Sequence, residues 1–144
     1  MYDVYDIAEK ILYTASVSDT GEYISNMKLQ KLLYYQQGFH LACFGTPLFD
    51  NEIEAWMYGP VVPPVYKKYE ECGKDGIKYS GTVIELTAEE EDLFDDVMTV
   101  YGKYSAIGLV NLTHLEEPWK NTEIGYGNVI TQDKLKEYFK TKLT

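Results

Sequence analysis

Met27-Lys-Leu-Gln-Lys-Leu-Leu-Tyr-Tyr-Gln-Gln-Gly-Phe-His-Leu-Ala42 decides the fold. The stretch predicts a helix from about Met27 to Phe44, and its apolar positions Leu29, Leu32, Leu33, Phe39, Leu41 and Phe44 cover a broad face. A helix apolar over so wide an arc is touched on more than one side, which places it at the centre of a bundle. Ser25 or Asn26 stands where a side chain can cap the first turn, Gly45 can close the last turn in a left-handed conformation, and Pro47 prevents a restart. Lys28, Lys31, Tyr34 and Tyr35 fall within two turns, and four residues spread over that span are expected to divide between core and solvent.

Working outward, Val4, Ile7, Ala8, Ile11, Leu12 and Ala15 recur at helical spacing behind Asp3, and Asp19-Thr20-Gly21 ends that first helix in a turn. Ile53 to Tyr58 has strand composition, with Gly59-Pro60 as its stop, and Pro63-Pro64 open a short helix that buries Val65, Tyr66 and Tyr69. A Gly73-Lys-Asp-Gly76 loop follows, then two small predicted strands, Ile77 to Tyr79 and Thr82 to Leu86. Thr87-Ala-Glu-Glu90 is a capping box for a helix to about Tyr101, with Leu93, Phe94, Val97, Val100 and Tyr101 facing inward. Ser105 caps Ala106 to His114, Pro118-Trp119 starts a brief helical turn, and Gly125-Tyr-Gly127 is a link. Thr131 caps a last helix whose Leu135, Tyr138, Phe139 and Leu143 share one face. No repeat or linker divides residues 1–144. The expectation is a mainly α (α+β) fold: a single-domain helical bundle with a small antiparallel β-sheet.

The 144 residues carry a net charge of −10, and all 13 basic residues are Lys. Phosphate backbones are repelled by such a field, and Arg, the usual bidentate reader of phosphate and guanine, is missing, so nucleic acid is not an expected partner. A basic protein partner fits the charge, and 14 Tyr supply rings suited to core edges or to a contact surface. Cys43 and Cys72 form no paired motif, no secretion signal opens the chain, and no apolar run approaches the ~20 residues of a membrane span. Cytoplasmic residence without membrane contact is expected.

Little points to catalysis. His40 and Cys43, three apart on the central helix, put two metal-capable side chains on one face, but a zinc site needs four ligands and neither Cys72 nor His114 has matching spacing. The same pair lacks the orienting group of a Cys–His nucleophile. Glu89-Glu-Glu-Asp92 and Asp95-Asp96 begin a helix, where negative charge suits the dipole, and they are expected to be solvated. No catalytic, cofactor or metal residue is assigned, and no enzyme is expected; one would have to draw on His40, His114, Glu54, Glu116 and Glu117.

Three blocks carry a family resemblance. They are the quoted helix followed by Pro47-Leu-Phe-Asp50, then Ile53-Glu-Ala-Trp-Met-Tyr-Gly-Pro-Val61 running on to Tyr66, and Leu112-Thr-His-Leu-Glu-Glu-Pro-Trp119. In order and spacing they resemble the Panacea domain of SocA-like antitoxins and GepA-like phage-associated proteins. The resemblance implies an antitoxin of a two-gene module that neutralises its toxin by direct binding or, alternatively, hands it to a cellular protease. The implied functional surface or structural corner comprises Lys28, Gln30, Lys31, Tyr34, Tyr35, Trp56, Tyr58, Gly59, Pro60, Tyr66, His114, Pro118 and Trp119. Trp56, Tyr58, His114 and Trp119 are expected to meet, and a toxin-binding face should be an exposed Tyr-bearing patch flanked by acids.

Overall fold

A computed structural model describes residues 1–18, 21, 23–72, 75–81 and 83–143. Helix α1 spans Val4–Ser16, and Asp3 caps it by accepting the Tyr5 amide. Helix α2, Asn26–Phe44, is capped by Ser25 at one end and by left-handed Gly45 (φ 76°) at the other. Strands β1 (Ile53–Trp56) and β2 (Gly59–Val61) precede α3 (Pro63–Tyr69) and a single 3₁₀ turn at Glu70–Cys72. Then come α4 (Ala88–Tyr101), α5 (Ala106–His114), α6 (Glu117–Lys120), β3 (Val129–Ile130) and α7 (Gln132–Lys140). Thr87 and Glu90 form the complete capping box, and Ser105 and Thr131 cap α5 and α7 through their hydroxyls. The fold is mainly α with a three-stranded antiparallel sheet of order β2-β1-β3, Trp56 opposite Gly59 and Ile53 opposite Ile130.

Helix α2 is the axis, packed by α1, α3, α4, α5, α7 and β2. Leu29, Leu32, Leu33 and Leu41 are buried in one cluster with residues from α1, α4 and α7. Each such side chain contributes ~1.5–3 kcal/mol by leaving water. Gly38 lets α7 approach: a Cβ there would overlap the Phe139 ring, which is itself fully buried.

The buried surface of α2 is also polar, and its polar side chains grip main chain. Asn26 donates to the Tyr66 carbonyl, Gln36 to that of Phe94, and Lys28 to that of Gly102. Gln30 accepts the Val62 amide, while Gln37 donates to the Phe49 carbonyl and accepts the Leu48 amide. Lys28, Lys31, Tyr34 and Tyr35 are therefore all buried, against the expected division between core and solvent. A helix enclosed on every side has no solvent face to offer them, and each tip is met by a partner instead.

Several local expectations are corrected. Gly59-Pro60 does not stop the strand: the reversal occurs at Met57-Tyr58, and Gly59 and Pro60 begin the return strand β2. Ile77–Tyr79 and residues 83–86 form no strand. Amides in and between them go to single acceptors: Ile77 donates to the Ile24 carbonyl, the intervening Ser80 and Gly81 amides to Glu9, and the Leu86 amide to Glu91. Val100 and Leu143 are exposed rather than inward. Glu90 and Glu91 are not simply solvated, because Glu90 accepts the Tyr2 hydroxyl and pairs with His40, and Glu91 pairs with Lys10. Residues 19, 20, 73, 74 and 82, within the expected turn, loop and second small strand, lie outside the described residues.

Candidate functional site

The β1–β2 hairpin stands over α2 and leaves a cleft of about 760 Å³ between itself, α3 and the segment before β3. That volume lies within the range of protein ligand sites. Gln30 and Lys31 form the floor, and Trp56 and Tyr66 meet edge to face at 5.1 Å on one wall. Tyr126 also meets Trp56 edge to face, with centroids 4.9 Å apart. Its loop is held by Glu54, which accepts both the Trp56 indole N–H (2.9 Å) and the Gly127 amide (2.8 Å). Gly127 adopts φ 82°, a left-handed conformation that suits glycine. Around the mouth, Met57, Tyr58 and Tyr126 are 66%, 60% and 85% exposed. The charged lining is Lys31, Lys67 and Glu70, with Glu54 against the Trp56 indole, so acids and lysines both border this cleft.

A spine of buried polar residues runs beneath it. Lys31 is 1% exposed, and its ammonium donates to the Pro60 carbonyl at 3.2 Å. Burial pushes this amine down to about 7, because the interior disfavours the charged form. Gly59, at φ 117°, makes room for it: a Cβ there would sit 2.6 Å from Lys31 Cε and 2.9 Å from Thr113 Oγ1. Farther along, Tyr34 and Tyr35 both donate to the Glu116 carboxyl, at 2.9 Å and 3.0 Å. Burial raises Glu116 to about 7, and the two hydroxyls oppose the rise without cancelling it. Tyr35 also stacks on Tyr101 at 3.9 Å.

The late motif closes the spine. His114 and Trp119 stack at 4.0 Å, nearly parallel, and the Trp119 indole donates to the Trp56 carbonyl at 2.8 Å. Burial, then the nearby Lys31 charge, lowers the His114 pKa, and its Nε2 is buried with no hydrogen-bond partner. Pro118 is buried at the start of α6.

Of the residues singled out from sequence, Lys31, Gly59, Pro60, His114, Trp119 and the Trp56 main chain converge here, and Gln30, Trp56, Tyr58 and Tyr66 line the cleft above. Lys28 is apart from them, directed at the end of α4. The four-aromatic meeting is met only in part. His114 joins Trp119, but the Trp56 ring turns toward Tyr66 and Tyr126, and Tyr58 points outward from the turn.

Glu116, weighed in the sequence only as a possible catalytic acid, is the anchor of both tyrosines. Its place inside the late motif and the adjacent Tyr34-Tyr35 pair were the available signals. Tyr126 and Ile124, which complete the rim, carry no such signal, since a Gly-flanked tyrosine resembles any exposed loop.

Both His40 ring nitrogens are engaged, with the Thr46 carbonyl at 2.5 Å and Glu90 at 2.6 Å, while Cys43 is free and exposed. Among the described residues no group of three or more His, Cys, Asp or Glu is placed to hold a metal ion, and no helix is long and apolar enough to cross a membrane.

Residues 29–120 match the family described as "Antitoxin SocA-like, Panacea domain". The chain belongs to this family. Antitoxin SocA of Caulobacter vibrioides (strain NA1000 / CB15N) is 31% identical over 157 aligned positions, spanning 96% of this chain and 82% of that protein. No solved structure matches significantly. The matched stretch runs from α2 to α6 and so contains the buried spine and most of the cleft lining, while Ile124 and Tyr126 fall just beyond it. An antitoxin-like role and a protein partner follow from membership in this family.

Proposed function

We propose that this protein neutralises a toxin in the cytoplasm by binding it directly, with the mouth of the aromatic cleft as the docking surface. The observation that carries the reading is the cluster of exposed apolar side chains, Met57, Tyr58, Ile124 and Tyr126, gathered at one cleft of a chain with net charge −10. Exposed apolar surface is costly unless covered, and Tyr and Met are enriched where proteins meet. The acidic field would speed encounter with a basic toxin. The spine beneath serves as a rigid frame that holds the hairpin in place.

The test is co-expression with the product of the adjacent gene, scoring growth, toxin abundance and complex formation. Rescue through a stable 1:1 complex is expected, and Tyr58→Asp with Tyr126→Asp should abolish it while leaving the fold intact. Rescue accompanied by disappearance of the toxin would replace direct neutralisation with delivery to a protease. A harmless neighbour that forms no complex would overturn the antitoxin reading.

A further inference from the structure

The floor of the cleft holds a buried amine whose hydrogen bond goes to a carbonyl, with no carboxylate paired to it among the described residues. Lys31 Nζ carries three N–H groups when charged, and its hydrogen bond is a single 3.2 Å contact to a carbonyl. The ion pairs among the described residues, Lys10–Glu91 and His40–Glu90, lie elsewhere. A buried charge with no counter-ion is strongly unfavourable, and a carboxylate beside it offsets much of that cost. The cleft lining is also less acidic than the molecule as a whole: it carries Lys31 and Lys67 beside the acid Glu70, with Glu54 against the Trp56 indole at its edge, in a chain of −10.

We propose that the protein partner inserts an acidic side chain into this cleft, its carboxylate meeting Lys31 Nζ while the aliphatic stem lies against Trp56 and Tyr66. The inference rests on the toxin-docking reading and names what the toxin must present. A protein side chain fits better than a free metabolite, because exposed Met57, Tyr58 and Tyr126 at the mouth give the surface around that side chain an apolar rim to rest on. A toxin basic overall, with one acidic residue flanked by apolar ones, satisfies both the long-range field and the local charge.

Two measurements test this. In the first, the isolated protein is titrated with 3-phenylpropionate and with 3-phenylpropionamide, which differ in charge but scarcely in shape, and the Trp56 indole N–H is followed by NMR. The carboxylate should bind at least tenfold more tightly than the amide, and Lys31→Met, which keeps the stem and drops the charge, should erase the preference. Equal binding of the two, or no binding of either, overturns the inference on the wild-type protein alone, whatever becomes of the variant. In the second, Lys31→Met is co-expressed with the adjacent gene product, and its complex should be at least tenfold weaker than that of wild type. A complex as tight as wild type sinks the carboxylate contact but leaves toxin docking standing. Discrimination between the two probes with no wild-type complex would instead sink the docking reading.

Discussion

Glu116→Gln isolates the energetics of the spine. The carboxyl sits between two tyrosine hydroxyls and is raised by burial from the ordinary 4.5 to about 7. At ~1.4 kcal/mol per pH unit, ionised Glu116 costs the fold about 3 kcal/mol. The sign follows from linkage: a carboxyl with a raised folded-state pKa binds more protons folded than unfolded, so stability falls as pH rises from 4.5 to about 7 and is level beyond. Gln keeps an oxygen that can accept from Tyr34 and Tyr35, and it cannot ionise. The assay is urea unfolding of wild type and variant from pH 4.5 to about 8. Other groups, including Lys31 with its opposite trend, cancel in the difference between the two proteins. Glu116→Gln should gain about 3 kcal/mol relative to wild type across that interval. A difference that stays flat to within ~0.5 kcal/mol would refute the reasoning and mean that the carboxyl ionises without penalty.

Gly59→Ala should destabilise by ~2 kcal/mol or more, visible as a lowered Tm, since it meets both the left-handed backbone and the Lys31 stem. Glu9 accepts from Tyr69, Ser80 and Gly81, and although burial opposes ionisation these bonds lower its pKa below 4.5. Its contribution is therefore present above that value and lost as pH falls, so Glu9→Gln should cost ~1–3 kcal/mol near neutrality and less near pH 3, measured by urea unfolding at both. Phe139→Ala should cost ~3–5 kcal/mol, and Gly38→Ala should do less harm in that background than in wild type, a coupling readable from a double-mutant cycle.

The legible parts of the fold are those decided by neighbours in sequence. Ser25, Thr87 with Glu90, Ser105 and Thr131 cap their helices because a short polar side chain reaches an amide three residues on. The apolar breadth of α2 placed it correctly at the centre. What escaped was decided by distant partners. The turn at Met57-Tyr58 is a local exception, where Gly59-Pro60 opens the return strand instead of stopping the first, while β3 is two residues long, with no periodicity to detect, and forms against distant β1. Ile77 to Tyr79 and Thr82 to Leu86 have strand composition, yet the described part of this segment is tied to distant groups instead, Ile77 to the Ile24 carbonyl, the intervening Ser80 and Gly81 amides to Glu9, and Leu86 to Glu91. In the site, the motif letters marked the spine but not the state of its groups. That Lys31 is buried on the floor of a cleft and Glu116 sits between two phenols are facts of enclosure, which no single stretch contains.

The grip of α2 on main chain separates frame from face. Asn26, Gln30, Lys31, Gln36 and Gln37 hold carbonyls and amides, groups common to nearly every amino acid. The outward-facing residues of the clasped segments can thus be exchanged without changing the atoms that α2 holds. Such a molecule is free to acquire a new partner by rewriting its exterior, whereas one changed letter on the axis leaves buried main-chain groups of a clasped segment without their partner.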